Sequence, residues 1–232
     1  MRGWSSKAID WYLRAGKWSQ YPSLILAEII PQLKPQHRVL DIGCGPGLYA
    51  LALAPLVKEV LALDHWGVVL GVLEEQARQR KLTNIRCLQG TWPDVRLETP
   101  VDIVLSAFSG SRVMNSRQSL TKIMSLGADT IYLVAPGTYQ PPFAWPHHIG
   151  GHSDAGATLA LLAQMDIAFT RQDLSLDFGQ PVEGWAEARE FLGDFLRIPQ
   201  AQALEHAKSI GRPHSQGLYL PNPRNVVLIK IS

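Results

Sequence analysis

From position 38 onward, short apolar runs alternate with stretches whose apolar residues recur at helical spacing. Residues 39–42, 60–64, 103–106 and 131–135 are apolar almost throughout, 85–89 is a strand-like run with Ile85, Cys87 and Leu88 apolar, and 48–56, 68–80 and 116–126 are amphipathic. A strand with no polar face is covered on both sides, so such strands separated by helices predict a parallel sheet between two helical layers. Upstream, Ser5 and Ser6 can cap a helix reaching Ala15, and Pro22 opens a second helix with Leu24, Ile25, Ile29, Ile30 and Leu33 on its apolar face. Beyond 136 the rhythm changes. A Pro/Gly/His-rich segment at 141–151 precedes a helix at 158–165, a strand at 168–176, helices around 185–196 and 200–209, and a closing strand at 226–231. Antiparallel pairing is expected of that last strand, as for edge strands of such sheets. The predicted class is α/β, doubly wound, with a helical leader over 1–36 and a main domain over 37–232 that carries a helical insertion at about 184–211.

Composition narrows the functions open to this fold. The chain has 232 residues, 46% of them hydrophobic and 18% charged, which suits one well-buried core without a disordered tract. Its 22 basic and 20 acidic residues leave a formal charge of +2, and neither sign gathers into a stripe that could follow a nucleic-acid backbone. A small-molecule substrate is expected, and a nucleic-acid partner is not. Cys44 and Cys87 are too few for a disulfide framework and lack the paired spacing of a zinc site. Residues 1–17 contain no apolar segment of the secretory kind, and no run approaches the roughly 20 apolar residues of a membrane span. These features predict a soluble, cytoplasmic protein without a membrane partner; they leave the oligomeric state open.

The chemistry gathers where the first strand meets the first helix, at Asp41-Ile42-Gly43-Cys44-Gly45-Pro46-Gly47. In a strand, glycine turn, helix arrangement, backbone N–H groups and the positive helix end face a ligand at the carboxyl edge of the sheet. Gly43, Gly45 and Gly47 permit that close approach. The dinucleotide fingerprint would place a third glycine at position 48, which is Leu48, and a phosphate-gripping loop would require Gly-Lys-Ser/Thr, which is absent. Two acids redirect the reading. Asp41 stands at the strand end where a cationic amino group could be held, and Asp64 ends the second strand where a carboxylate accepts hydrogen bonds from ribose hydroxyls. One acid for an ammonium group and one for a ribose describe a nucleoside amino acid.

These residues resemble the class I S-adenosylmethionine-dependent methyltransferase family. Its first motif is similar to Val39-Leu40-Asp41-Ile42-Gly43-Cys44-Gly45-Pro46-Gly47 and its second-strand motif to Leu61-Ala62-Leu63-Asp64. Its third resembles Asn84-Ile85-Arg86-Cys87-Leu88-Gln89-Gly90-Thr91-Trp92, and Val101 to Phe108 fits the fourth strand. The resemblance implies a seven-stranded sheet with the last strand antiparallel, and S-adenosylmethionine as cofactor. It places Asp41, Gly43, Cys44, Gly45, Gly47, Asp64, His65, Thr91, Trp92 and Ser106 at the cofactor. The family usually sets an acid or small polar residue near the adenine amine. Here Gly90 and Thr91 occupy that place, so Thr91, Trp92 or a backbone amide takes the contact. The family's Asn/Asp-Pro-Pro-Tyr/Phe motif for amino methylation of nucleobases or glutamine is replaced by Ser106-Ala107-Phe108-Ser109.

Several residues admit two readings. His65 and Trp66 either pack on the ribose and adenine or begin the next helix, and Cys44 reads as a small filler of the turn. His147, His148 and His152, with Asp154, follow the fifth strand on the rim where substrate loops gather. They are the candidates for substrate chemistry, with His147 and His148 as general bases. Their His-His-x-x-x-His spacing lies in a loop and not on one helix face, so no metal is expected. Trp11, Tyr12, Trp18 and Tyr21 form either a packing face or a lid over the cofactor. Trp185, Phe191 and Phe195 are expected to pack the inserted helices. Arg112 and Arg117 either meet an anionic substrate or start a solvated helix. Two rival functions remain, a nicotinamide-dependent oxidoreductase and a non-catalytic module that only binds the cofactor.

Overall fold

A computed structural model describes residues 4–138, 143, 154–215 and 217–232. Its central sheet has seven strands: β1 (Arg38–Ile42), β2 (Glu59–Asp64), β3 (Ile85–Gln89), β4 (Ile103–Ala107), β5 (Thr130–Pro136), β6 (Thr170–Asp177) and β10 (Pro223–Ile231). They lie in the order β3-β2-β1-β4-β5-β10-β6. β10 runs antiparallel to both β5 and β6, while β1 to β5 pair in parallel. The closing strand is thus antiparallel as expected, but it sits inside the sheet, with β6 as the edge.

Alternation along the buried strands divides the core in two. Val39, Val60, Ala62, Tyr132, Val134 and Leu228 point into one layer, and Leu40, Leu61, Leu63, Leu133, Val227 and Ile229 into the other. The first layer is covered by α1 (Ser6–Trp18), α2 (Ser23–Ile29), α3 (Leu48–Leu53) and α4 (Gly67–Gln79). The second is covered largely by α6 (Arg117–Ser125) and α7 (Ala155–Gln164), with a short α5 (Ser111–Met114) at the strand edge. Helix starts carry side-chain caps: Ser5 accepts from the Ala8 N–H, Ser116 from Ser119 and Asp154 from Ala157. The Asp154 carboxylate, grouped above with the substrate residues, is a helix cap.

Between β6 and β10 the chain forms α8 (Trp185–Leu196) and α9 (Gln200–Ile210), together with a three-stranded antiparallel ribbon. The ribbon comprises β7 (Gln180–Val182), β8 (Arg212–His214) and β9 (Gly217–Leu220), in the order β7-β9-β8. The hydrophobic pattern predicts the two helices; strands of three or four residues are too short to leave a periodicity. Leader and insertion pack on each other. Trp11 is fully buried, sets its ring edge-to-face against Phe191 (5.1 Å) and Phe195 (5.6 Å), and donates its indole N–H to Glu187 at 2.8 Å. Phe191 and Phe195 therefore fill the inserted layer, whereas Trp185 is exposed. Among the described residues, no helix is long and apolar enough to cross a membrane.

Candidate functional site

The carboxyl ends of β1, β2 and β4 meet beneath the glycine loop. Gly43 has a φ of +75°, and a Cβ there would stand 2.7 Å from the Cβ of Ser109, so the loop after β4 can close on the first loop only over a glycine. Gly47, with φ +89°, caps α3 and would drive a Cβ into Leu73. Ser106, fully buried at the end of β4, donates to the Ile42 carbonyl at 3.2 Å and shares a 2.5 Å hydrogen bond with Ser109.

The loop N–H groups do not wait for a ligand. Gly43 and Cys44 both donate to the Leu63 carbonyl, at 2.8 and 3.0 Å, Gly47 donates to Cys44, and Gly45 donates to the Asp64 carboxylate at 2.9 Å. This corrects the expectation that loop amides face the ligand: those of Gly43, Cys44 and Gly45 hold the loop onto β2, and that of Gly47 closes the turn on Cys44. A pyrophosphate would find its usual donors occupied, which agrees with the departure at Leu48.

Asp64 is nearly buried and binds the N–H groups of Gly45 and Trp66, one to each oxygen at 2.9 Å. A carboxylate oxygen carries two lone pairs, so one acceptor site per oxygen remains for hydroxyls. His65 follows with Nδ1 3.4 Å from the same carboxylate and its own side chain largely exposed.

Two cavities run along this edge. The larger, about 290 Å³, is lined by Asp64, His65, Gly90, Thr91, Trp92 and Arg112, with Ile42 and Leu63 among its apolar walls. The smaller, about 70 Å³, is lined by Trp4, Tyr12, Trp66 and Phe108 with Gly45. Gly43, Asp64, His65 and Ser109 belong to both, so the two form one groove passing over the loop.

Asp41 lies behind the groove wall, on the sheet face that carries α1 to α3. It is 1% exposed, and its Oδ2 has no hydrogen-bond partner among the described residues. Burial, reinforced by the nearby Asp64 charge, pushes its carboxyl up to about 7. Tyr12, Tyr21 and Tyr49 surround it, and burial raises each phenol well above its ordinary value. A buried carboxylate that accepts from the Ala50 N–H and leaves its Oδ2 unpartnered among the described residues is an environment that gains from an arriving cation.

The structure thus brings Gly43, Gly45, Asp64, His65, Thr91 and Trp92 to the groove. Asp41, Ser106 and Gly47 support it from behind. Cys44, 7% exposed with its thiol held up by burial, fills the turn and lines neither cavity. His147, His148 and His152 lie outside the described residues. Among the leader aromatics, Tyr12 reaches the groove, Tyr21 lies in the buried cluster, Trp11 turns into the insertion and Trp18 is exposed.

The sequence alone did not single out Trp4, Ser109 or Val113. For Trp4 a signal existed: a bulky residue directly before an N-cap is placed to fold back on its helix, and the Trp4 ring meets Tyr12 edge-to-face at 5.2 Å. Phe108 has a φ of +51°, the left-handed region that costs an aromatic residue about 1–2 kcal/mol. Its N–H is fastened to the Val134 carbonyl at 2.9 Å.

A family model described as a methyltransferase domain matches residues 39–126, the stretch that builds β1 to α6. An uncharacterized methyltransferase of Bacillus subtilis, YcgJ, is 28% identical over 93 residues, 40% of this chain and 37% of its own length. A probable S-adenosylmethionine-dependent methyltransferase of Saccharomyces cerevisiae, CRG1, is 33% identical over 91 residues, 38% of this chain and 31% of its own. The matches therefore span about a third of the length of these relatives. The crystal structure of the Bacillus subtilis YcgJ protein superposes with a TM-score of 0.59 at 17% identity, covering 90% of this chain and 97% of that one. A coclaurine N-methyltransferase, crystallised with N-methylheliamine and SAH, gives 0.54 at 14% identity over 90% and 70% of the two chains. Residues 39–126 of the chain thus match a methyltransferase domain, and the fold as a whole is similar to that of the solved YcgJ structure.

Proposed function

We propose that the chain binds S-adenosylmethionine in the groove and transfers its methyl group to a small, neutral or largely apolar acceptor. The observation that carries this is the continuity of the two cavities over Gly43, with Asp64 common to both. An elongated ligand with a nucleoside at one end and an amino acid at the other suits that shape. When bound, the cofactor supplies a methyl group on a positively charged sulfur, which an oxygen, nitrogen, sulfur or carbon nucleophile displaces in line.

The chain's own part is to bind, align and exclude water. Asp64 offers its two spare acceptor sites to the ribose hydroxyls. Thr91 and Trp92 bound the adenine end, and the charge on Asp41 favours an ammonium group at the other. A base for the nucleophile's proton is assigned to His147 or His148 on their place after β5 in the sequence. The small-molecule reading is supported by the dispersed charge of the chain and the modest size of the groove.

Calorimetry with S-adenosylhomocysteine tests the proposal. Binding is expected, with no heat from NAD; no binding at high micromolar S-adenosylhomocysteine overturns the reading. Asp64→Ala leaves the ribose, Gly45 and Trp66 without their acceptor, and a fall in affinity of about 100-fold, or roughly 3 kcal/mol, is expected. Full binding by that variant removes the ribose assignment.

A further inference from the structure

Lys122 lies in the last turn of α6, where a lysine ordinarily serves its own helix, because the terminal carbonyls and the negative dipole end attract a cation. Here the ammonium donates instead to two carbonyls of another segment, those of Pro93 and Val95, and stands 4.7 Å from the centroid of the Trp92 ring. Among the described residues no carboxylate pairs with it. Two carbonyl dipoles and a ring face are what offset its desolvation.

The segment it clamps has few other restraints. It leaves β3, an edge strand whose one neighbour is β2. Gly90 donates to the Asp64 carbonyl at 3.0 Å, and Asp94 closes a turn on the Thr91 carbonyl at 2.8 Å. Val95 then folds back over Gly90, where a Cβ would stand 2.3 Å from a Val95 methyl. Gly90, Thr91 and Trp92 line the wide cavity, whereas Lys122 lines neither cavity and reaches that wall from behind. β2 thus fixes one side of the segment, and α6, through one ammonium group, fixes the other.

We propose that Lys122 is a positioning residue for base selection: it ties residues 90–95 to α6 and so holds the wall beside the cofactor's nucleobase where a 6-aminopurine fits and a 6-oxopurine does not. This rests on the methyltransferase reading and deepens it. Adenine and hypoxanthine have the same outline. They differ along one edge, where the amino group of adenine is a carbonyl in hypoxanthine and the neighbouring ring nitrogen changes from acceptor to donor. Shape cannot separate the two, so selection falls to polar groups held in place. A wall free to shift re-aims those groups to suit either base; a fixed wall leaves the wrong base with unpaired donors and acceptors.

The experiment is calorimetry with S-adenosylhomocysteine and its hypoxanthine analogue, S-inosylhomocysteine, on the parent chain, Lys122→Met, Lys122→Gln and Lys122→Arg, with urea unfolding of each. Methionine keeps the apolar stem and removes the charge and the donors; glutamine serves in its place if the methionine variant does not fold. The parent is expected to prefer the adenine ligand by about tenfold or more. In Lys122→Met the preference should fall to about threefold or less through weaker binding of the adenine ligand, and Lys122→Arg, which keeps charge and donors, should retain most of it. A neutral variant that is less stable yet as selective as the parent overturns the proposal, since the lysine then serves stability alone. Equal affinity of the parent for both ligands also overturns it, as does an arginine variant no more selective than methionine. If the parent binds neither ligand, the methyltransferase reading itself fails, an outcome distinct from failure of the clamp.

Discussion

The two ends of the groove are built by different means. The wide end is walled by residues at or just beyond the carboxyl ends of β1, β2, β3 and β4 and on the short α5, all within residues 42–113. The narrow end depends on Trp4 and Tyr12, and these stand where they do because α1 is packed on an insertion that begins more than 160 residues later. One end is a property of the sheet edge, the other of a long-range contact. The sheet edge can be shared by many proteins, while a wall of distant origin can change without disturbing it.

The sharpest break of this comparison is Trp11→Ala. The indole is 0% exposed, packs on Phe191 and Phe195 and spends its N–H on Glu187. Its truncation is expected to cost about 3–5 kcal/mol in urea unfolding. Because no described leader residue lines the wide cavity, adenosine should be bound nearly as well as before, while S-adenosylhomocysteine, which also needs the narrow end, loses more. Equal losses for the two probes would show that the ends are not independent.

The same contrast explains what could be read from the sequence. β3 spans 85–89 and α8 spans 185–196, as their periodicity predicts, because an apolar run and its flanking breaks are local facts. Asp64 and the loop glycines were legible for the same reason: their spacing on consecutive strand, turn and helix fixes where they point. The ribbon of β7, β8 and β9 was not legible, because three or four residues cannot display a period, and its pairing is a tertiary fact. The occupied loop N–H groups were also hidden. Their acceptors, the Leu63 carbonyl and the Asp64 carboxylate, belong to the neighbouring strand. Tyr12 stood among aromatics with two readings, and the structure divides them one by one: it faces the groove while Trp11, one position earlier, faces the insertion.

Asp41 links the two ends, since it lies behind the loop they share, and its ionisation gives a pH test. Its carboxyl is pushed up to about 7 by burial and by Asp64, against an unfolded value near 3.9. The folded chain therefore holds this proton more tightly than the unfolded chain. The associated stability is fully present below the unfolded value and is lost as pH rises towards 7. Relative to Asp41→Asn, which does not titrate, the parent should lose on the order of 2–4 kcal/mol between pH 4 and pH 8 in urea unfolding. A parent and variant that run parallel across this range would remove the buried carboxylate from the account. An ammonium-bearing ligand should recover part of the loss at pH 8, and adenosine, which lacks that group, should not.

The finest distinction lies within the contact that holds the narrow end. Glu187 and Glu190 are neighbours on α8, and both face α1. Glu187 accepts from the Trp11 indole and from the Glu183 N–H at 2.7 Å, and it pairs with Arg14. Burial alone would raise its carboxyl, but the Arg14, Glu183 and Trp11 donors outweigh burial and hold it below the usual value. Among the described residues Glu190 pairs with Lys7 alone, and both of those side chains are about half exposed. Removing the acceptor from a half-buried network leaves donors without partners, so Glu187→Ala is expected to cost about 1.5–3 kcal/mol. Glu190→Ala should cost under about 0.5 kcal/mol, because an exposed pair is offset by side-chain entropy and solvent. Salt separates the two further. In 0.5 M NaCl the small Glu190 effect should vanish while most of the Glu187 effect remains, since screening reaches the surface pair and largely spares hydrogen bonds out of solvent. If both variants instead cost the same and fade together with salt, the leader is held to the insertion by surface charge, and the narrow end of the groove is as salt-sensitive as that contact.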